Sequence, residues 1–256
     1  MTRLHVVRAG QGPTLLLLHG IGASATAWSA QMERLGGEFT CLAPDLPGYG
    51  DSPDPTGAGL DAIAAEVAEV LDGQPSHVLG VSFGALTALA LARARPELVR
   101  SLVLADATLG RASSTLEERE RWLRHREGLA NELATRSVER AGEIAGRNAT
   151  PEVIQEIARH MRRARPAGYM AVARAIADTD ARSWLGGIGQ PTLLLCGEDD
   201  RVTGMGVSQT LLDQLPNAEL VVIAGAGHAP HVEQPDRFAE AVRAFLQSDA
   251  ERSDPN

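Results

Sequence analysis

His77-Val78-Leu79-Gly80-Val81-Ser82-Phe83-Gly84-Ala85 is an apolar run, a G-x-S-x-G turn and the start of a long helical pattern, joined without a break. A strand ending in so sharp a turn holds its serine in a strained backbone conformation with the hydroxyl clear of the sheet. Glycines at 80 and 84 remove the side chains that would block the crossing of strand and helix. Ser82 therefore has the setting of a nucleophile, and the rest of the chain must supply a base, an acid and an oxyanion hole.

On both sides of this turn, short apolar runs alternate with longer segments of helical period. That alternation is the pattern of a mostly parallel sheet covered on both faces, an α/β fold. Seven strands are predicted, at Leu4 to Val7, Thr14 to His19, Phe39 to Ala43, His77 to Val81, Ser101 to Ala105, Thr192 to Cys196 and Glu219 to Ala224. Helices fall between them at Ala25 to Leu35, Leu60 to Leu71, Phe83 to Arg95, Val207 to Leu215 and Pro235 to Gln247. Residues 109–186 break the alternation. They hold no strand and four amphipathic patterns, at Thr115 to Leu133, Ser137 to Arg147, Pro151 to Arg163 and Ala167 to Ala177. An all-helical insertion after the fifth strand would stand above the carboxyl ends of the strands, where open α/β sheets bind ligands. The predicted division is a core of 1–108 and 187–250, an insertion of 109–186 and a disordered tail of 251–256.

A chain of 256 residues can bury a substantial core without staples. No apolar run reaches the length of a membrane span and Met1 to Leu4 open no signal-peptide core, so a soluble, cytoplasmic protein is expected. Cys41 and Cys196 lie in β-like runs and read as buried small hydrophobes. The net charge of −9 argues against a nucleic-acid partner. The charge is uneven: residues 109–186 carry 14 Arg against 11 acidic residues, a net of +3, leaving −12 elsewhere. Pairs at helical spacing, Glu117 with Arg121 and Glu120 with Arg124, account for part of this, and an anionic substrate would use the remainder.

A serine hydroxyl attacks only when a base takes its proton, and the base must be oriented by a carboxylate. His228 is the best-placed imidazole, in Gly225-Ala226-Gly227-His228-Ala229 after the last strand, with His231 three residues on as the rival or a contributor to the substrate rim. The turn Gly197-Glu198-Asp199-Asp200 offers the acid. Asp200 is preferred, Asp199 is second, and Asp106 beyond the fifth strand is a third possibility. The oxyanion hole combines the N–H of Phe83 with that of Ile21 in Leu18-His19-Gly20-Ile21-Gly22. His19 reads as a structural hydrogen-bonder beside the substrate, and Trp122, Tyr169 and Met170 are candidates to line a pocket. Neither G-x-G-x-x-G nor a P-loop lysine occurs, and no cofactor or metal is called for.

Five motifs in order, His19 to Gly22, Asp45 to Ser52, Gly80 to Gly84, Gly197 to Asp200 and Gly227-His228, resemble the α/β-hydrolase superfamily over nearly the whole chain. The resemblance implies a triad of Ser82, Asp200 and His228, an oxyanion hole at Ile21 and Phe83, and a helical lid at 109–186. Residues 167–171 and 175–178 also look like the lid of enol-lactone hydrolases. One strand fits before Thr14, so the usual first strand should be missing. Ala229 after the histidine differs from the Trp usual in members that cleave C–C bonds. The implied activity is hydrolysis of a small carboxylic ester or lactone through an acyl-enzyme. A thioesterase, amidase, C–C hydrolase or cofactor-free perhydrolase would use the same triad, and a small-molecule sensor would keep the pocket with little turnover. The expected partner is a small ester or lactone, with no nucleic acid and no membrane, in a monomer or homodimer.

Overall fold

The computed structural model describes the backbone of residues 3–253 and the side chains of 3–249. Its seven strands are β1 (Val6–Ala9), β2 (Thr14–Leu18), β3 (Thr40–Pro44), β4 (Ser76–Val81), β5 (Val99–Ala105), β6 (Thr192–Gly197) and β7 (Ala218–Ile223). They form one sheet in the order β1-β3-β2-β4-β5-β6-β7, parallel except for β1, which pairs antiparallel with β3 from Val6 opposite Pro44 to Ala9 opposite Cys41. The first strand lies two residues later than the sequence predicts. Leu4 is drawn into the core, and the His5 N–H is taken by the Ser52 hydroxyl at 2.9 Å, so the ladder begins only at Val6.

Alternation along each strand builds two cores. Leu15 and Leu17 of β2, with Leu79, Val103 and Leu193, pack under Trp28 and under α1 (Ser29–Leu35) through Met32 and Leu35. Leu16 and Leu18, with Val78, Leu102 and Leu194, face the other side. They meet α2 (Gly59–Ala68) and α3 (Phe83–Ala94) through Leu60, Ile63, Leu86 and Leu89. The predicted run of leucines is thus divided evenly between the faces, as expected of strands covered on both sides.

Four helices lie between β5 and β6: α4 (Leu116–Glu132), α5 (Ser137–Ile144), α6 (Pro151–Met161) and α7 (Pro166–Asp178). Thr115 and Glu118 close a capping box at the start of α4. The helix predicted to reach Arg147 stops at Ile144, because the backbone from Ala145 to Arg147 turns to meet the loops that follow β6 and β7. The chain ends with α8 (Met205–Gln214), the short α9 (Pro230–Glu233) and α10 (Pro235–Ser253), which completes the core beneath Trp28 through Phe238, Val242 and Phe245. The last helix runs three residues into the segment expected to be a tail, and residues 254–256 of that segment lie outside the described residues. Cys41 and Cys196 are buried free thiols, pushed up to about 11 by burial. Among the described residues no helix is long and apolar enough to cross a membrane.

Candidate active site

Ser82 stands between β4 and α3 with φ 55° and ψ −112°, a conformation side chains other than glycine rarely adopt. Three contacts enforce it. The Ser82 N–H donates to the Ala105 carbonyl at 2.9 Å, a Cβ at Gly80 would collide with the Gly84 carbonyl, and one at Gly84 with the Leu18 carbonyl. Local strain persists only where packing over-determines it, and such places are commonly reactive sites.

The loop after β2 comes to this turn. A Cβ on Gly20 would lie 3.2 Å from that of Ser82, and Ile21 and Ser82 line one cavity. Neither the Ile21 N–H nor the Phe83 N–H is taken by a backbone acceptor outside regular elements, and Phe83 is the first residue of α3, where no intrahelical acceptor exists. Two donors near one serine are the requirement for stabilising a developing oxyanion.

His228 reaches the same cavity from the loop after β7. Its Nδ1 lies 3.0 Å from Asp200 Oδ1, and both groups are buried. Asp200 also accepts from Val202 N at 2.8 Å, Gly204 N at 3.0 Å and the Thr203 hydroxyl at 2.6 Å. Burial alone would raise this carboxyl, but the His228, Thr203 and Gly204 contacts outweigh it and hold the group well below the usual carboxylate range. The Ser82 hydroxyl forms no hydrogen bond to His228 among the described residues, and both residues line the one cavity.

The two rival acids are otherwise engaged. Asp199 accepts from the Arg147 N–H at 3.0 Å and from its guanidinium Nε at 2.7 Å, which lowers its pKa. Asp106 is buried beside Asp200. Its Oδ1 accepts from Gly197 N at 2.9 Å and its Oδ2 has no partner. Burial first, and then the neighbouring charge of Asp200, push its pKa well above the usual value. Asp106, Asp200 and His228 offer ligand atoms within 4.8 Å of one another, as do His5, Asp45 and Asp51. The Asp45 and Asp200 oxygens are already occupied by donors of the chain, which makes both clusters hydrogen-bond networks.

The cavity encloses about 1200 Å³ of empty space, part of it open to solvent. Trp122, Tyr169 and His231 line it. Met170 does not: one residue is about 100° of helix, and Met170 packs against the main core. His19 does not either. The Leu46 N–H donates to its Nε2 at 3.0 Å, so its Nδ1 carries the proton and donates to the Gly20 carbonyl at 2.9 Å, bracing the loop after β2. His160, which the sequence places on an exposed helical pattern, is buried on the cavity wall between the Thr26 hydroxyl at 2.9 Å and Glu156.

Burial lowers His19 to about 4 and His231 to about 3, the latter helped by His160 and His228. Both are neutral in the fold, whereas the unfolded chain protonates them near pH 6.5, so below that pH the unfolded state binds more protons and stability falls. A melting series in acid is expected to lose about 1.4 kcal/mol per pH unit for each of the two. Unchanged stability down to about pH 4.5 would contradict the buried, neutral assignment.

Residues 15–241 match the α/β hydrolase family. The chain belongs to that family. A pimeloyl-[acyl-carrier protein] methyl ester esterase from Aeromonas salmonicida is 32% identical over 260 residues, covering 94% of this chain and 98% of the relative. A thermophilic esterase from Thermogutta terrifontis, solved with malate bound, superposes with a TM-score of 0.87 at 30% identity, over 96% of this chain and 93% of the other. The enol-lactonase from Burkholderia xenovorans LB400 shares the fold, with a TM-score of 0.79 at 23% identity, over 96% and 97% of the two chains. A carboxylic-ester hydrolase is the enzyme class these comparisons support.

One carboxylate of this hydrolase escapes sequence reading. Glu233 of α9 is buried and accepts from the N–H groups of Gly227 at 3.0 Å and Ala229 at 3.1 Å, on either side of His228, and from Gly146 of the helical insertion at 2.7 Å. The His228 N–H itself donates to the Ile144 carbonyl at 2.8 Å. Only the folded chain brings residues 144–146 to residue 233, so no local spacing announces the clamp. In Glu233→Gln an amide NH2 would confront converging N–H donors and displace the histidine loop. The expected result is a fall in kcat on the order of 10- to 100-fold with the fold intact, read by steady-state kinetics beside a thermal melt. Wild-type kcat in the variant would deny Glu233 this role.

Proposed function

We propose that the protein hydrolyses a small carboxylic ester or lactone through an acyl-enzyme on Ser82. The observation that carries this reading is the Asp200–His228 hydrogen bond, 3.0 Å long, presented to the cavity that also holds strained Ser82. His228 Nε2 takes the Ser82 proton as Oγ attacks the carbonyl carbon. The oxyanion is received by the Ile21 and Phe83 N–H groups, and the proton passes to the departing alkoxide. Water then repeats the cycle on the acyl-enzyme and frees the acid. Asp200 keeps the imidazole in the tautomer with Nδ1 protonated, and Asp106 serves as a neutral, hydrogen-bonded neighbour rather than as the triad acid.

The insertion from α4 to α7 acts as the lid. Its residues Trp122, Leu129, Met161 and Tyr169 line the cavity that holds Ser82 and would give the acyl group an apolar wall. The Aeromonas relative acts, by its name, on a methyl ester, which suits a compact leaving alcohol here as well.

A panel of nitrophenyl and methyl esters of graded chain length, run beside lactones, tests the reading. Turnover of short or medium esters supports it. Negligible turnover of every member by protein whose Ser82 still reacts covalently would favour a small-molecule sensor, and selective cleavage of thioesters or C–C bonds would redirect it to those activities.

A further inference from the structure

Four arginines of the helical insertion, Arg111, Arg126, Arg136 and Arg140, line the cavity, and they differ in counter-charge. Arg136 pairs with Glu132 and Glu139, Arg140 with Glu143, Arg119 with Asp178 and Arg147 with Asp199. Arg111 and Arg126 have no carboxylate partner among the described residues, and the Nε atom of each is buried without a hydrogen bond. Both line the cavity that holds Ser82.

Both guanidinium groups lie over the same aromatic ring. They converge on one ring, with their central carbons 4.7 Å (Arg126) and 5.4 Å (Arg111) from the centroid of Trp122. Arg126 also donates to the Tyr169 hydroxyl at 3.1 Å. Accepting that bond leaves the Tyr169 O–H free to donate. The same tyrosine touches the oxyanion loop, since a methyl group at Gly22 would meet its ring at 3.4 Å. Two cations sharing an aromatic ring repel each other, and withdrawing them from water without a counterion is costly. A bound anion removes the repulsion. Guanidinium forks and a phenol hydroxyl are suited to the paired oxygens of a carboxylate.

We propose that Arg111 and Arg126, braced by Trp122 and Tyr169, bind a carboxylate on the substrate remote from the scissile carbonyl. The preferred substrate is then the monoester of a short dicarboxylic acid, or a lactone bearing a free carboxylate. This deepens the ester-hydrolase reading and rests on it. Tyr169 spans from the oxyanion loop to Arg126, so the two ends of the substrate are separated by only a short chain.

The test compares monomethyl adipate with its isosteric neutral analogue, in which the free acid is a primary amide. Wild-type protein is expected to favour the acid at least ~10-fold in kcat/KM, because an unpaired charged site discriminates strongly. Arg126→Gln and Arg111→Gln should each collapse that ratio, and Arg126→Lys should recover part of it, which separates loss of charge from loss of folding. A second arm needs no turnover: calorimetry with adipate on Ser82→Ala protein should give saturable binding that Arg126→Gln weakens by at least ~10-fold. An amide hydrolysed as fast as the acid, a preference that survives both Gln variants, or absence of saturable adipate binding would overturn the carboxylate site while leaving Ser82-dependent hydrolysis standing. Failure of Ser82 to react with a fluorophosphonate would instead defeat the underlying reading.

Discussion

Ser82→Ala is expected to lower kcat/KM for any ester the enzyme accepts by about four to six orders of magnitude, the loss typical of removing the nucleophile from a serine triad. The fold should be indifferent. The Ser82 hydroxyl makes no hydrogen bond among the described residues, and alanine inherits the same backbone strain without adding to it. The melting temperature should therefore stay within about 2 °C of wild type, a shift below that of a 1 kcal/mol change in a chain of this size. Retention of more than a few per cent of activity would move the nucleophile elsewhere. An inactive but unfolded variant would show that residue 82 supports the turn, so kinetics and melting must be read together.

The second large effect separates two buried carboxyls. Asp200→Asn keeps shape but loses the charge that stabilises the His228 imidazolium, and an amide can hold the ring in the wrong tautomer. A fall in kcat of about 10⁴-fold is expected. Asp106→Asn should keep most of the activity, because its carboxyl is raised by burial and by Asp200, and the amide reproduces its neutral form. The two also differ in pH dependence. Above about pH 4 the unfolded chain releases the Asp106 proton while the fold retains it, so the unfolded state binds fewer protons and wild-type stability falls as pH rises through this range. Asn removes that penalty. The melting temperature of Asp106→Asn relative to wild type should climb as pH rises above about 4. Wild-type activity in Asp200→Asn together with inactive Asp106→Asn would exchange the two assignments.

Much of this arrangement is legible in the sequence because its signals are local. Alternation of Leu15 to Leu18 between the two cores, glycines at 80 and 84 where a Cβ would meet backbone, and a glycine-rich loop ahead of His228 each depend on neighbours a few residues away. The positions that sequence reading misplaces depend on distant contacts. Met170 and Tyr169 are adjacent in α7, and only packing tells which one turns toward the cavity. His160 looks like a surface residue of an amphipathic helix until Thr26, 134 positions earlier, closes over it. Glu233 and Arg111 carry no local motif at all, and their roles rest on which charges the folded chain leaves paired.

In the proposed reading the helical insertion sets the substrate and the turn at Ser82 sets the reaction. Reaction with a fluorophosphonate, followed by mass spectrometric mapping of the adduct, tests the turn most directly. One adduct is expected, on Ser82, formed far more slowly in His228→Ala because the hydroxyl then lacks its base. An adduct on another residue, no adduct, or an equal rate in His228→Ala would contradict the assignment of Ser82 and His228 as nucleophile and base.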